Sequence, residues 1–176
     1  MSDRLPSRGQ ALQLLHKNHC SAKVVEHCEA VAKLASETAY AIQKRGSKVN
    51  VELVVVGALL HDIGRSKTHS VDHVVLGAEI AANAGLPTSV VAIIKRHIGG
   101  GITASEAEKL GWPKDNYVPV TLEEKIVSYA DKLIETSERV PIGLTIDKLR
   151  EEKLDAAADR VQAIHDEIAK LAGETV

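Results

Sequence analysis

Apolar residues recur at helical spacing along almost the whole of this 176-residue chain, and no stretch alternates polar with apolar as a half-buried strand would. Such a chain can bury its apolar surface only by packing helix on helix. Ser7 can cap a first helix running to about Asn18, and Ser21 a long second one whose stripe includes Val24, Val31, Leu34 and Ala35, with Gly46 at its end. Asn50 opens a third through Val54, Val55 and Leu59 to His61 and Asp62, with Gly64 as its stop. Ser70 or Asp72 starts a fourth, closed by Gly85, and Pro87 suits the first turn of a fifth that ends before Gly99-Gly100-Gly101, read as a flexible loop. Thr103 to Leu110 reads as a short helix stopped at Gly111, and Trp112 to Val120 as a loop. Thr121 with Glu124 forms a capping box for a helix carrying Tyr129, Asp131 and Ile134, and one last helix runs from about Thr145 to Leu171. The expected architecture is all-α: a single helical domain over residues 1–176, with its core at about 21–140 and a C-terminal helix at about 145–171.

Composition narrows the partners. A 44% hydrophobic, 26% charged chain of this length can fill a core. A formal net charge of −2 and only 2% aromatics argue against non-specific nucleic-acid binding, which relies on a basic surface and stacking platforms. The longest apolar run, Leu53 to Leu60, is far too short to cross a bilayer, and Met1 to Gln10 has no signal-peptide core. Two cysteines make no disulfide framework. A small partner and a cytoplasmic location are expected, with no membrane partner.

Four polar residues stand where the helical stripes should be apolar. His27 lies one turn from Val24 and Val31, His61 shares a face with Val54 and Ala58, Asp62 follows Ala58 and Leu59, and Asp131 has Val127 and Ile134 as stripe neighbours. A carboxylate taken out of water costs several kcal/mol unless it is paired or bound to a metal. Any one of the four alone reads as a hydrogen-bonded core histidine or a helix cap. The adjacent His61-Asp62 pair, followed at once by Ile63-Gly64, favours a ligand set, with the turn exposing both side chains to a cleft. Imidazole and carboxylate together suit a divalent transition metal.

The order His27, His61-Asp62, Asp131 resembles the H…HD…D signature of the HD-domain phosphohydrolases, and Leu59-Leu60-His61-Asp62-Ile63-Gly64 is similar to its HDIG variant. The resemblance spans roughly Val24 to Arg139. It implies a helical bundle of the HD type in which His27, His61, Asp62 and Asp131 bind one divalent metal. His73, in His-Val-Val-Leu-Gly77-Ala78, and His97, before Ile98-Gly99-Gly100, stand in contexts similar to dinuclear members such as the bacterial diadenosine tetraphosphate hydrolases. This implies a second ion held by His73 and His97, with Asp62 as the bridge, although the interval from His61-Asp62 to His73 is shorter than in many such members.

The implied chemistry is hydrolysis of a phosphate ester or anhydride by a metal-activated water, and no Ser or Cys is placed as a covalent nucleophile. His61 and Asp62 are then catalytic as well as ligands, and Lys67 and His69 are further catalytic candidates, His69 as a general acid. Arg65, Lys67, Lys95 and Arg96 flank the motifs, and Arg139 ends a segment similar to the AD-x-IE-x-x-R stretch of the tetraphosphate hydrolases; these are the substrate-binding candidates. The cofactor is one or two ions of Fe, Mn, Ni, Co or Zn, and the substrate a small phosphorylated molecule, a nucleotide first. Alternatives are a dinuclear-iron oxygenase, which related folds include, and a nucleotide-binding regulatory module. His16, His19, Cys20 and Cys28 fit no structural zinc spacing. His165 reads as a surface residue, and the stretch from Leu149 to Leu171 as a packing arm or homodimer contact.

Overall fold

The structure, a computed structural model, describes residues 4–174, so the ends of the expected 1–176 domain lie outside the described residues. Among these it is all-helical apart from one small hairpin. The helices are α1 (Arg8–Lys17), α2 (Ala22–Lys44), α3 (Val51–Leu60), α4 (His73–Asn83), α5 (Thr88–Arg96), α6 (Ala104–Lys109), α7 (Leu122–Lys132), α8 (Ile142–Glu151) and α9 (Asp155–Ala172). Helical turns of the tighter 3-10 type cover Ile63–Ser66 and Ile98–Gly100. No helix among the described residues is long and apolar enough to cross a membrane.

Because α3 is apolar on nearly every side, it takes the centre, and α1, α2, α5 and α7 all pack on it. Leu59 and Leu60 are fully buried there, each contributing about 1.5–3 kcal/mol by leaving water. Gly57 lets α5 come close, since a Cβ would lie 2.5 Å from Ile93 Cδ1. The amphipathic α2 lays Val24, Val31, Leu34, Ala35 and Ile42 against this centre. Starts are fixed as the sequence reads: Ser7, Ser21, Asn50, Thr103 and Thr121 each accept a backbone N–H with their side chains, with capping boxes at Ser7, Thr103 and Thr121. Each such cap is worth about 1 kcal/mol.

Four local expectations are corrected. The helix carrying Asp131 stops at Lys132, and Ile134 instead pairs with Arg139 in a hairpin of β1 (Ile134–Glu135) and β2 (Glu138–Arg139). Its strands are too short to show alternation, and its turn holds Thr136 at φ 58°. The expected single C-terminal helix is two. Lys153, at φ 60°, breaks the path between α8 and α9, and Ile146 packs against Ala158 and Val161. No Gly or Pro marks that break; helix-on-helix packing overrides a continuous helical pattern. Gly64 is not itself the stop of α3, which ends at Leu60, but lies inside the turn Ile63–Ser66, where a Cβ would fall 1.9 Å from the His73 carbonyl oxygen. The stretch from Gly99 to Gly101 is packed rather than loose: a Cβ on Gly100 would meet the backbone nitrogen of Val161 in α9 at 2.8 Å.

Candidate metal centre

Two central helices end at this site. His61 follows the last residue of α3 and His97 the last residue of α5, so both rings sit where a helix presents carbonyls without intrahelical partners. Each ring uses one: His61 Nδ1 donates to the Ala58 carbonyl at 2.6 Å and His97 Nδ1 to the Ile94 carbonyl at 2.8 Å. His73, first in α4, donates from Nδ1 to the Ser70 carbonyl at 2.7 Å. His27, on α2, reaches across the fold to the Thr136 carbonyl in the hairpin turn at 2.9 Å. A carbonyl only accepts, so each of the four rings carries a proton on Nδ1 and turns its Nε2 to the interior.

Those four Nε2 atoms converge on two carboxylates. Asp131 Oδ1 lies 3.0 Å from His27 Nε2 and 3.4 Å from His61 Nε2. Asp62 divides its oxygens. Its Oδ2 is 3.9 Å from His27 Nε2 and 3.7 Å from His61 Nε2, while Oδ1 is 3.1 Å from His73 Nε2 and 3.6 Å from His97 Nε2. His73 and His97 bring their Nε2 atoms to 3.2 Å of each other. His61 is fully buried and Asp62 nearly so, and His61 Nε2 and Asp62 Oδ1 have no hydrogen-bond partner. His61 is therefore enclosed, contrary to the expectation that the turn exposes both side chains to a cleft, whereas Asp62 reaches one.

Two largely buried carboxylates, with Asp62 Oδ1 and His61 Nε2 left without a hydrogen bond, are unfavourable in a water-poor interior without positive charge among them. The donor chemistry fits a divalent cation, and two groupings have every ligand atom within 4.8 Å of the others: His27, His61 and Asp131, and His61, Asp62 and His97. The carbonyl ends of α3 and α5 add a favourable field for a cation.

The ionisation of the two carboxylates and of His97 agrees with this. Burial would raise both carboxylates, but His61, His73 and His97 hold Asp62 well below the usual carboxylate range, and Lys132, His27 and His61 do the same for Asp131. Burial presses His97 down to about 4, keeping the ring neutral as a ligand must be. For His61 burial acts downward, but the neighbouring Asp62 charge outweighs it and raises the imidazole.

A cavity of about 780 Å³ opens onto His27, Asp62 and Asp131. Among the expected substrate contacts, the structure brings Arg65 here: its Nε donates to Asp62 Oδ2 at 2.9 Å and its Nη1 to the His69 carbonyl at 3.1 Å. The other candidates are not among its lining residues. Lys67 and the side chain of His69 are exposed on the loop before α4. Lys95 pairs with Asp115 and lies over the Tyr117 ring. Arg96 is held by both oxygens of buried Glu124, at 2.8 and 3.1 Å, tying α5 to α7. Arg139 approaches Glu174 at 3.5 Å on another face. Proximity in sequence to a motif residue put these cations on the list, but successive helical residues point in different directions. His165 also departs from its surface reading, lying partly buried beside Tyr129.

The sequence reading missed Lys132, Lys109, Lys148 and Arg160, all of which line the cavity. Only Lys132 carried a signal, being adjacent to Asp131, with whose Oδ2 it pairs. It also missed Thr136 as the partner of His27.

Comparison with known proteins shows the family. The sequence profile of the HD domain matches residues 24–135. The chain is 49% identical over 164 residues to an uncharacterised protein of Methanocaldococcus jannaschii, covering 92% of this chain and 96% of that one. It is 38% identical over 169 residues to a tRNA (cytidine(56)-2'-O)-methyltransferase of Picrophilus torridus, where 96% of this chain spans only 48% of the relative. In structure it resembles the HD domain of the L. monocytogenes phosphodiesterase PgpH in complex with cyclic-di-AMP, with a TM-score of 0.58 and 21% identity over 93% of this chain and 96% of that one.

Proposed function

This chain belongs to the HD domain family, and from that premise we propose that it is a metal-dependent phosphohydrolase acting on a phosphate ester or anhydride of a nucleotide or similar small molecule. One observation carries the reading: four imidazole Nε2 atoms, aimed inward by Nδ1–carbonyl hydrogen bonds, converge on two anionic carboxylates at the floor of a cavity. His27, His61, Asp131 and Asp62 Oδ2 would hold one cation, and His73, His97 and Asp62 Oδ1 a second. When bound, the pair supplies Lewis acidity towards a phosphoryl oxygen and makes a water acidic enough to act near neutral pH.

The chain's own residues do the rest. Arg65, held on Asp62 Oδ2 and partly exposed to the cavity, offers a guanidinium to the non-bridging oxygens of a phosphoryl group. Lys132 places a second positive charge beside Asp131, so that charge developing at phosphorus meets cations already in position. The carbonyl bonds of the four rings keep the ligands from rotating.

The test is metal analysis beside turnover. Protein purified and loaded in turn with Mn, Fe, Co, Ni and Zn should hold two ions per chain and cleave p-nitrophenyl phosphate, bis-p-nitrophenyl phosphate or nucleotides with at least one of them. Asp62→Ala should lose both ions and all turnover, and His73→Ala should lose one ion and most turnover. Full metal content in Asp62→Ala, or no cleavage of any ester with any of the five metals, would refute the assignment. A phosphodiester carried on an RNA is a second reading, favoured by the methyltransferase relative; turnover of an oligoribonucleotide but of no mononucleotide would select it.

A further inference from the structure

Six large apolar side chains stand exposed among the described residues, and three of them, Val71, Leu110 and Leu154, line the metal-floored cavity, at 41%, 44% and 46% exposure. Deeper in the same wall lie Ile98, Ile102, Ile134 and Leu149. None of the lining residues is Phe, Tyr or Trp, and none is Asn, Gln or Ser.

The polar groups of that wall are already engaged within the protein. Glu106 accepts from Arg160 at 2.9 and 3.0 Å and from the Thr103 N–H at 2.7 Å, and Arg160 donates to the Gly101 carbonyl at 3.1 Å. Thr145 gives its hydroxyl proton to the Lys132 carbonyl at 2.7 Å. Lys132 pairs with Asp131, and Lys148 with Glu135. The Gly101 and Ile102 N–H groups are taken by the Ile98 and Tyr117 carbonyls at 2.7 and 3.1 Å. Lys109 and Glu152 remain, both exposed, where water competes for them.

Away from the metal ligands, then, this cavity offers aliphatic faces and little hydrogen-bonding pattern. We propose that it holds the organic part of its substrate by aliphatic contact, so that a nucleotide is recognised by its phosphate and by the flat face of its base, and the identity of the base is not read. The inference rests on the phosphohydrolase reading for the orientation of the ligand, phosphate towards Asp62 and Asp131. A pocket that only surrounds a group with apolar atoms separates close analogues by about 10–200-fold, whereas one that hydrogen-bonds the distinguishing group separates them by about 10⁴-fold or more.

The experiment is equilibrium binding of AMP, GMP, CMP, UMP and ribose 5-phosphate to the manganese-loaded full chain, repeated with a Leu110→Ala/Leu154→Ala variant. Both leucines are exposed, outside the core, so the variant should keep its fold. The four nucleotides should bind within about 200-fold of one another and all more tightly than ribose 5-phosphate, and the variant should narrow that gap for all four alike. A preference above about 10³-fold for one base, or ribose 5-phosphate bound as tightly as the nucleotides, overturns the proposal. So does no binding of any of the five. If the nucleotides bind in the expected pattern while no phosphate ester is cleaved, the hydrolase reading fails and this inference stands.

Discussion

Gly64 lies so close to the start of α4 that a methyl group there would overlap the His73 carbonyl oxygen and crowd the Gly77 nitrogen, at 1.9 and 2.7 Å. Both obstacles are backbone, so neither can rotate away. Gly64→Ala is therefore expected to destabilise the protein by about 1–3 kcal/mol and to push His73 from Asp62 Oδ1, weakening the second cation site proposed for His73 and His97. Thermal unfolding would show the first effect and titration with metal the second; a variant with unchanged melting temperature and two unaltered binding steps would refute the packing role. At this scale His27, His61, Asp62 and Asp131 were legible, because a polar residue on an apolar stripe demands a partner. Lys95 and Arg96 were not, because what decides their use is Asp115 and Glu124, each 20 or more residues away. Glu124 announced itself only as a capping residue, yet it also holds Arg96 and is buried.

Helix starts could be read because a cap is a local bond between residues three apart, whereas the break between α8 and α9 could not, because it depends on Ile146 finding Ala158 and Val161. Once broken, α9 is fastened over the turn that follows His97 by Arg160, which grips Glu106 and the Gly101 carbonyl. Arg160→Gln should lower the melting temperature at pH 7. Burial raises the Glu106 carboxyl, but the Thr103 N–H and Arg160 outweigh it and lower its pKa from 4.5. A depressed acid contributes stability that is complete above its unfolded value and disappears as pH falls through the folded one. The difference between wild type and variant should therefore persist from pH 7 down to about 4.5 and fade at lower pH. A difference that stays constant across pH 3–7 would show that the ion pair is not its source.

Across the whole molecule, α2, α3, α4, α5 and α7 each carry, or end on, at least one side chain that could ligate a metal at a common interior point, where a bound cation would tie them together. Metal that binds the folded chain and not the unfolded one stabilises it by about 4 kcal/mol at a thousandfold excess over its Kd. Chelation should accordingly lower the melting temperature by several degrees in wild type and leave Asp62→Ala unmoved; equal response of the two proteins would rule out a coupling between this centre and the fold. The helical bundle was visible in the chain's periodicity, and the meeting of His27 with Thr136, 109 residues apart, was not. That last pair also imposes a chronology. His61, His73 and His97 take their orientation from carbonyls three residues earlier, so each is aimed as soon as its own turn of chain exists. His27 must wait for the hairpin turn at Thr136, and in a polypeptide made from its amino end the earliest of the four imidazoles to be synthesised is the last to be set.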